Sequence, residues 1–429
     1  MKIPVALFVS PERNFGYGAV AVALSLFVFA YSTRFGQAPI LLYYALWLPL
    51  PLLDPPRYLR GNAHLPWIVA FGVFALLSTF WSAAPGATAR ASVQYLSHIA
   101  CALIAARTVS TRTLIFGGLG GVTLVLGYSL AVGGYHYDPI DGAYSFVGAF
   151  SSKNQLGFFA SLGIYLAFVS LVVLKQRGLS AALALSVGAL SGYSLLASQS
   201  ATSVITVAIA IAAGIFMRSL QLFAPLPRKL LFTAGTALAL LGLFAALQLG
   251  AFDAVLEVFG KDATLTGRTY LWSEGMAAAR ENPIFGRGYQ AFWVHGFAHA
   301  ERLWEEFYIT ARTGFHFHNT YIETFVELGV VGTVLIVVLM IGVVAGQVLV
   351  LLGSRHDPTA QVMLGLSVML LVRSAVEVDV ITPYVVGSFL LYYAAGVLSD
   401  PNRRAARARI GAGAVPSSTG GQPAAYMRG

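Results

Sequence analysis

Cysteine is nearly absent: Cys101 is the only one in 429 residues, so the chain has no means of forming a disulfide framework or a thiolate metal cluster, and redox chemistry lacks its usual groups. Charge is scarce as well. Only 10% of residues are Asp, Glu, Lys or Arg, while 57% are hydrophobic and mean hydropathy is +0.73, which excludes an ordinary soluble domain. No cleavable leader is expected either, because Ile3 to Val9 is a short apolar run closed by Pro11-Glu12-Arg13, and no clean small-residue cleavage site follows. What remains is a series of long apolar runs.

A membrane-crossing helix needs roughly 20 apolar residues. Such runs lie near 15–33, 38–53, 65–81, 92–107, 113–133, 154–174, 179–197, 201–217, 230–249, 320–352, 360–379 and 383–398, predicting an all-α polytopic membrane protein of about twelve transmembrane helices. Residues 1–249 then hold the first nine helices, 250–318 form one large external loop with short amphipathic helices, and 319–399 hold the last three. The Gly/Ser/Pro-rich stretch 400–429, headed by the arginines from Arg403 to Arg409, is expected to be a disordered tail touching anionic lipid. Basic residues set the orientation. Placing both termini in the cytoplasm puts 17 of the 27 lysines and arginines on that side, so the +9 charge sets topology and calls for no nucleic-acid partner.

Polar chemistry therefore concentrates outside. The loop 250–318 brings Arg268, Arg287, Arg312 and an imidazole near hydrocarbon, where polar groups are costly. Thr266 is expected to cap a helix running to about Asn282, with Leu271, Trp272, Gly275, Met276 and Ala279 at helical spacing and Arg268 in its first turn, an arrangement that suits phosphate oxygens. Gly286-Arg287-Gly288 reads as a tight turn able to offer N–H donors to an anion. A second helix is expected over Glu301–Arg312 as an amphipathic cover or lid. The shorter external stretch Gly134–Ser152 carries Tyr135, His136, Tyr137, Asp138 and Asp141, groups that suit sugar hydroxyls or an interfacial aromatic belt. Lys153 closes it, placed to snorkel or to meet a phosphate.

His295 and His299 are four apart and His316 and His318 two apart, but no HExxH pattern accompanies them, so we expect neither a metal nor another cofactor. His318 opens a different element: Asn319 follows, then nine residues, Gly329, two residues and Gly332, with the glycines read as permitting close helix packing. Glu323 and Glu327 lie one turn apart on the same span and should face protein. Arg373 and Glu377, four apart at the outer end of the eleventh span, either neutralise each other or join His318 in a pocket.

These stretches resemble the O-antigen ligase and exopolysaccharide polymerase family of bacterial inner-membrane glycosyltransferases. The resemblance rests on His318 to Gly332, on Gly267-Arg268-Thr269-Tyr270-Leu271-Trp272, on Asn282-Pro283-Ile284-Phe285-Gly286-Arg287-Gly288, and on Ser152-Lys153-Asn154-Gln155-Leu156-Gly157. It implies metal-independent, inverting glycosyl transfer from an undecaprenyl-diphosphate-linked glycan donor to a saccharide acceptor on the periplasmic face, with arginines such as Arg268 on the diphosphate and His318 near the acceptor hydroxyl. Family members often carry a basic residue in the external turn after the seventh span. Here that turn reads Ser198-Gln199-Ser200-Ala201-Thr202, so a second cation must come from elsewhere, with Lys153, Arg287 and Arg373 as candidates.

His318 then acts as general base, and Glu323 or Glu327 orients its imidazole. The sequence around Arg373 to Glu377 looks more like the exopolysaccharide polymerase branch than the ligase branch. A ligase using the same chemistry is the nearest rival. A lipid-linked sugar transporter would need charges along the spans, which are nearly charge-free, and a non-catalytic assembly partner would be indifferent to His318.

Overall fold

A computed structural model describes residues 4–59, 64–137, 142, 144–249, 267–353 and 356–401. Thr266, Asp138, Asp141, the start of the long loop and the basic tail lie outside the described residues. The chain is predominantly helical. Its principal helices are α1 (Phe15–Phe35), α2 (Ala38–Trp47), α3 (Leu65–Leu77), α4 (Pro85–Thr108), α5 (Thr111–Val132), α6 (Lys153–Phe168), α7 (Leu179–Ser198), α8 (Ala201–Leu220), α9 (Pro225–Gln248), α10 (Arg268–Glu281), α11 (Ala298–Glu306), α12 (Thr320–Gly353), α13 (Pro358–Ser374) and α14 (Val386–Ser399). A helix thus falls on each of the twelve apolar runs, and α10 and α11 lie in the long loop.

Seven of these are long and apolar enough to cross a membrane: α1, α5, α6 with its π-helical continuation to Val173, α7, α8, α9 and α12. This is a multi-pass membrane protein. Ala38–Leu53, Leu65–Phe80, α13 and α14 are apolar but shorter, and α4 is long but carries Arg90 and Arg107. Helix starts follow local chemistry. Asn14, Ser110, Ser152, Ser200 and Asp357 each place a side-chain oxygen on the first-turn N–H groups of α1, α5, α6, α8 and α13.

The long helix α12 is not continuous. Gly329 adopts φ 64° and ψ −165°, breaking the ladder near the N-terminal end. Into the gap fits the Asn282–Gly288 stretch: Arg287 N and Gly288 N donate to the carbonyls of Val326 and Glu327 (3.0 and 2.8 Å), while Val330 N and Val331 N donate to Pro283 O and Ile284 O (2.9 and 3.3 Å). Backbone groups freed by the break are thus paired within protein, as a membrane boundary requires. A side chain at Gly329 would collide with the Ile284 carbonyl, and one at Gly286 with the backbone of Glu327. Gly329 therefore breaks the helix and does not serve helix packing as the sequence suggested. The Gly286-Arg287-Gly288 turn likewise has its N–H groups committed to protein carbonyls, Gly286 N going to Asn282 O, so it is not the anion-binding nest expected.

One further expectation changes. The cover helix is Ala298–Glu306, ending well before Arg312, because Tyr308 and Arg312 take left-handed backbone (φ 57° and 48°). The strand β1 (Gly134–Tyr137) pairs antiparallel with β2 (Tyr144–Gly148), with Tyr135 stacked on Tyr144 at 5.2 Å. Helices α10 and α11 pack over their own apolar cluster of Leu271, Ala279, Phe292, Leu303, Trp304 and Phe317. His299 and Arg302 of α11 both pair with Glu274 of α10, and Arg312 pairs with Glu301 at 2.7 Å.

Candidate active site

Glu377 is the centre of the polar cluster. It lies in the turn between α13 and α14, 5% exposed, and three elements reach it. Arg268 at the start of α10 donates from Nη2 to Oε1 at 2.7 Å, and Asn154 at the start of α6 donates to the same oxygen at 2.8 Å. His318 Nδ1 faces Oε2 at 3.3 Å. Ser200, in the turn entering α8, donates to Asn154 Oδ1 at 2.9 Å, so that turn also supports the carboxylate. Burial pushes the Glu377 carboxyl up, but Arg268, then His318, then Arg373 outweigh it and hold the group well below the usual carboxylate range.

Why these groups meet is legible locally. Gly267 occupies the N-cap of α10 with φ 76°, a left-handed conformation that glycine adopts at little cost. Asn319 caps α12, accepting from Tyr321 N and Ile322 N (3.0 and 3.1 Å), while its Nδ2 donates to Ala375 O at 2.9 Å and ties α12 to the end of α13. Thr320 Oγ1 donates to the Glu377 carbonyl at 2.8 Å. His318 itself has φ 50°, an unusual conformation for a residue with a side chain, costing ~1–3 kcal/mol unless its surroundings enforce it.

Arg373 does not neutralise Glu377 by a direct bond. Its Nε donates to Asp379 Oδ2 at 2.6 Å, its Nη1 donates to Ser203 Oγ at 3.2 Å, and its guanidinium lies 4.0 Å from the Phe158 ring. Asp379 is pushed up by burial, which Arg373 only partly offsets, and the charge of Glu377 adds to the rise. The turn before α8, which lacks a basic residue, holds Ser200, and Arg373 reaches from α13 to Ser203 in the first turn of α8.

Other expected site residues fall elsewhere. Arg287 stacks on Phe297 at 3.6 Å. Lys153 opens α6 next to Asn154. Glu323 and Glu327 are buried on the N-terminal segment of α12, before its break, and neither touches the imidazole: Glu323 accepts from Trp293 Nε1 (2.9 Å) and from Phe317 N (2.7 Å), and Glu327 sits by Tyr289. The carboxylate that orients His318 is Glu377. Sequence reasoning passed over Asn154, Ser200, Ser203 and Asp379, although Asn154 stands inside the Ser-Lys-Asn-Gln stretch and Ser200 inside the turn already singled out.

His316, His318 and Glu377 place ligand-type atoms within 4.8 Å of one another, and these three could in principle hold a metal ion. Two contacts oppose it. His316 Nδ1 accepts from His318 N at 3.1 Å, so its free lone pair is in use, and Arg268 already brings a positive charge to the same carboxylate. Burial, then the neighbouring His318, lowers His316 from 6.5 to about 3 and keeps it neutral.

Fold and site together define a membrane-embedded protein whose functional groups converge from four segments at one end of a helical bundle, built around cations and an imidazole. The O-antigen ligase family model matches residues 186–337, which include Arg268 and His318. The exopolysaccharide production protein ExoQ of Rhizobium meliloti is 53% identical over 406 residues, covering 95% of this chain and 93% of the relative. The chain belongs to the O-antigen ligase and exopolysaccharide polymerase family.

Proposed function

We propose that this protein polymerises undecaprenyl-diphosphate-linked oligosaccharide repeat units into exopolysaccharide at the periplasmic face of the bacterial inner membrane, with about twelve spans and both termini cytoplasmic. Kinship with an exopolysaccharide production protein supports the product class. The observation that carries the reading is the convergence of Arg268, His318 and Asn154 on Glu377.

The chemistry follows from that convergence. A diphosphate leaves readily once its charge is neutralised, and Arg268 commits one nitrogen to Glu377 while a guanidinium has further N–H donors for phosphate oxygens. Glu377 facing Nδ1 favours the tautomer with the proton on that nitrogen, leaving the Nε2 lone pair of His318 to take the acceptor hydroxyl proton. As the proton moves to Nε2, the acceptor oxygen bonds to the anomeric carbon, the bond from that carbon to the phosphate oxygen breaks, and undecaprenyl diphosphate departs with the electron pair. Attack opposite the leaving group inverts the anomeric centre. For the second cation, Arg373 is better placed than Arg287, since its charge acts on Glu377 while Arg287 faces Phe297; Lys153 lies beside Asn154.

The test is His318→Ala in purified protein with lipid-linked repeat units. Transfer should stop while donor binding and membrane insertion persist, and His316→Ala should be milder. Full turnover by His318→Ala would sink the assignment of the base. The match to an O-antigen ligase model favours a second reading, in which a finished chain is transferred from the lipid to another acceptor by the same chemistry.

A further inference from the structure

The Glu323 carboxylate is 2% exposed and lies five residues after His318, with no contact to that imidazole. Its two oxygens are divided between two donors. Oε2 accepts from the backbone N–H of Phe317, immediately before His318, and Oε1 accepts from the indole N–H of Trp293. Phe317 is fully buried, its ring 4.9 Å from both Phe292 and Trp293, and a side chain at Gly275 of α10 would meet it. The next residue, His318, carries the left-handed backbone.

We propose that Glu323 is a positioning residue for the base: by gripping the Phe317 N–H it holds the 317–318 backbone in the conformation that turns the His318 ring toward Glu377. The inference rests on His318 being the base. Three observations support it. A left-handed non-glycine residue persists only where neighbouring contacts over-determine it. The contacts on either side of His318 are the Glu323 bond to Phe317 N and the Asn319 cap with its tether to Ala375, and the N–H of His318 itself donates to His316 Nδ1. Both oxygens of Glu323 receive hydrogen bonds, so a buried carboxylate in this position suits two converging N–H donors, as neither a hydroxyl nor an apolar group would.

The two-donor geometry yields a test that general destabilisation cannot imitate. In Glu323→Gln the amide oxygen can accept from only one of the two donors in this geometry, and the amide NH2 then faces the other. Removing the indole donor with Trp293→Phe relieves that conflict and leaves the amide oxygen for Phe317 N. Turnover of lipid-linked repeat units should be measured on folded, monodisperse protein in lipid nanodiscs. Glu323→Ala should lower kcat by ~100-fold, the size of effect that a displacement of about 1 Å can produce, with the donor KM within about threefold of wild type. Glu323→Gln should lose ~10-fold in kcat, on the scale of one weakened charge-assisted hydrogen bond. Glu323→Gln with Trp293→Phe should return to near the level of Trp293→Phe alone. Wild-type kcat in Glu323→Ala, a loss confined to KM, or a double variant no better than Glu323→Gln would overturn the proposal. Should Glu323→Ala fail to fold, the glutamine pair decides. Activity in His318→Ala would instead remove the base itself, so the two failures are distinguishable.

Discussion

Arg268 and His318 share one carboxylate, and at the scale of single residues this makes their substitutions separable. Arg268 offers a planar fork that lysine cannot reproduce, so both Arg268→Ala and Arg268→Lys should strongly reduce polymer, by ~10–100-fold if one charge-assisted contact to the leaving group is lost. Polymer yield and chain length on gels report it, and normal polymer from the lysine variant would reduce Arg268 to a point charge. His316 supplies a pH prediction. Its folded value, about 3, lies below its ordinary 6.5, so between those values the unfolded chain binds a proton that the folded chain does not. Its contribution is therefore complete above about pH 6.5 and is lost as pH falls toward 3. Thermal midpoints in detergent should fall over that window, and His316→Gln should flatten the fall. An unchanged slope would argue against a neutral, partly buried His316.

At the scale of elements, the break in α12 and the stretch 282–288 are one unit. Neither is stable without the other, because each supplies the hydrogen-bond partners the other lacks. Gly329→Ala and Gly286→Ala should each lose folded protein, since the added carbon meets main chain that cannot rotate away and the residue must keep a positive φ. Folded yield after membrane extraction checks this. Gly342→Ala, in the continuous part of α12 with open space at its Cβ, should be tolerated and serves as the control. Loss in the control alone would contradict the account.

For the whole molecule, the predicted orientation puts α10 and α11 outside the cell membrane with both termini inside. A reporter active only in the cytoplasm should be silent when fused near Ala300, and an active one there would overturn the topology. Deleting the protein should leave single lipid-linked repeat units if it is a polymerase. Accumulation of full-length lipid-linked chains would assign it to ligation instead.

The apolar runs and the composition were enough to specify a multi-pass helical protein, because crossing a membrane is a local demand met by roughly 20 consecutive residues. Arg268, His318 and Glu377 could each be picked out by the cost of polar groups at a membrane boundary. A pocket joining Glu377 to His318 was one of two alternatives open to the sequence, and the structure takes it; the bonds of Glu377 to Arg268 and Asn154 could not be read from the sequence. Glu377 lies 59 residues from His318, 109 from Arg268 and 223 from Asn154, and periodicity carries no information about contacts at such separations. Spacing along one helix pointed to Glu323 and Glu327 as the groups orienting the imidazole, yet the left-handed turn at His318 directs the ring away from its own helix, toward the turn after α13. Tertiary packing decided which carboxylate holds the histidine, because only the folded bundle brings the ends of α6, α10, α12 and α13 together.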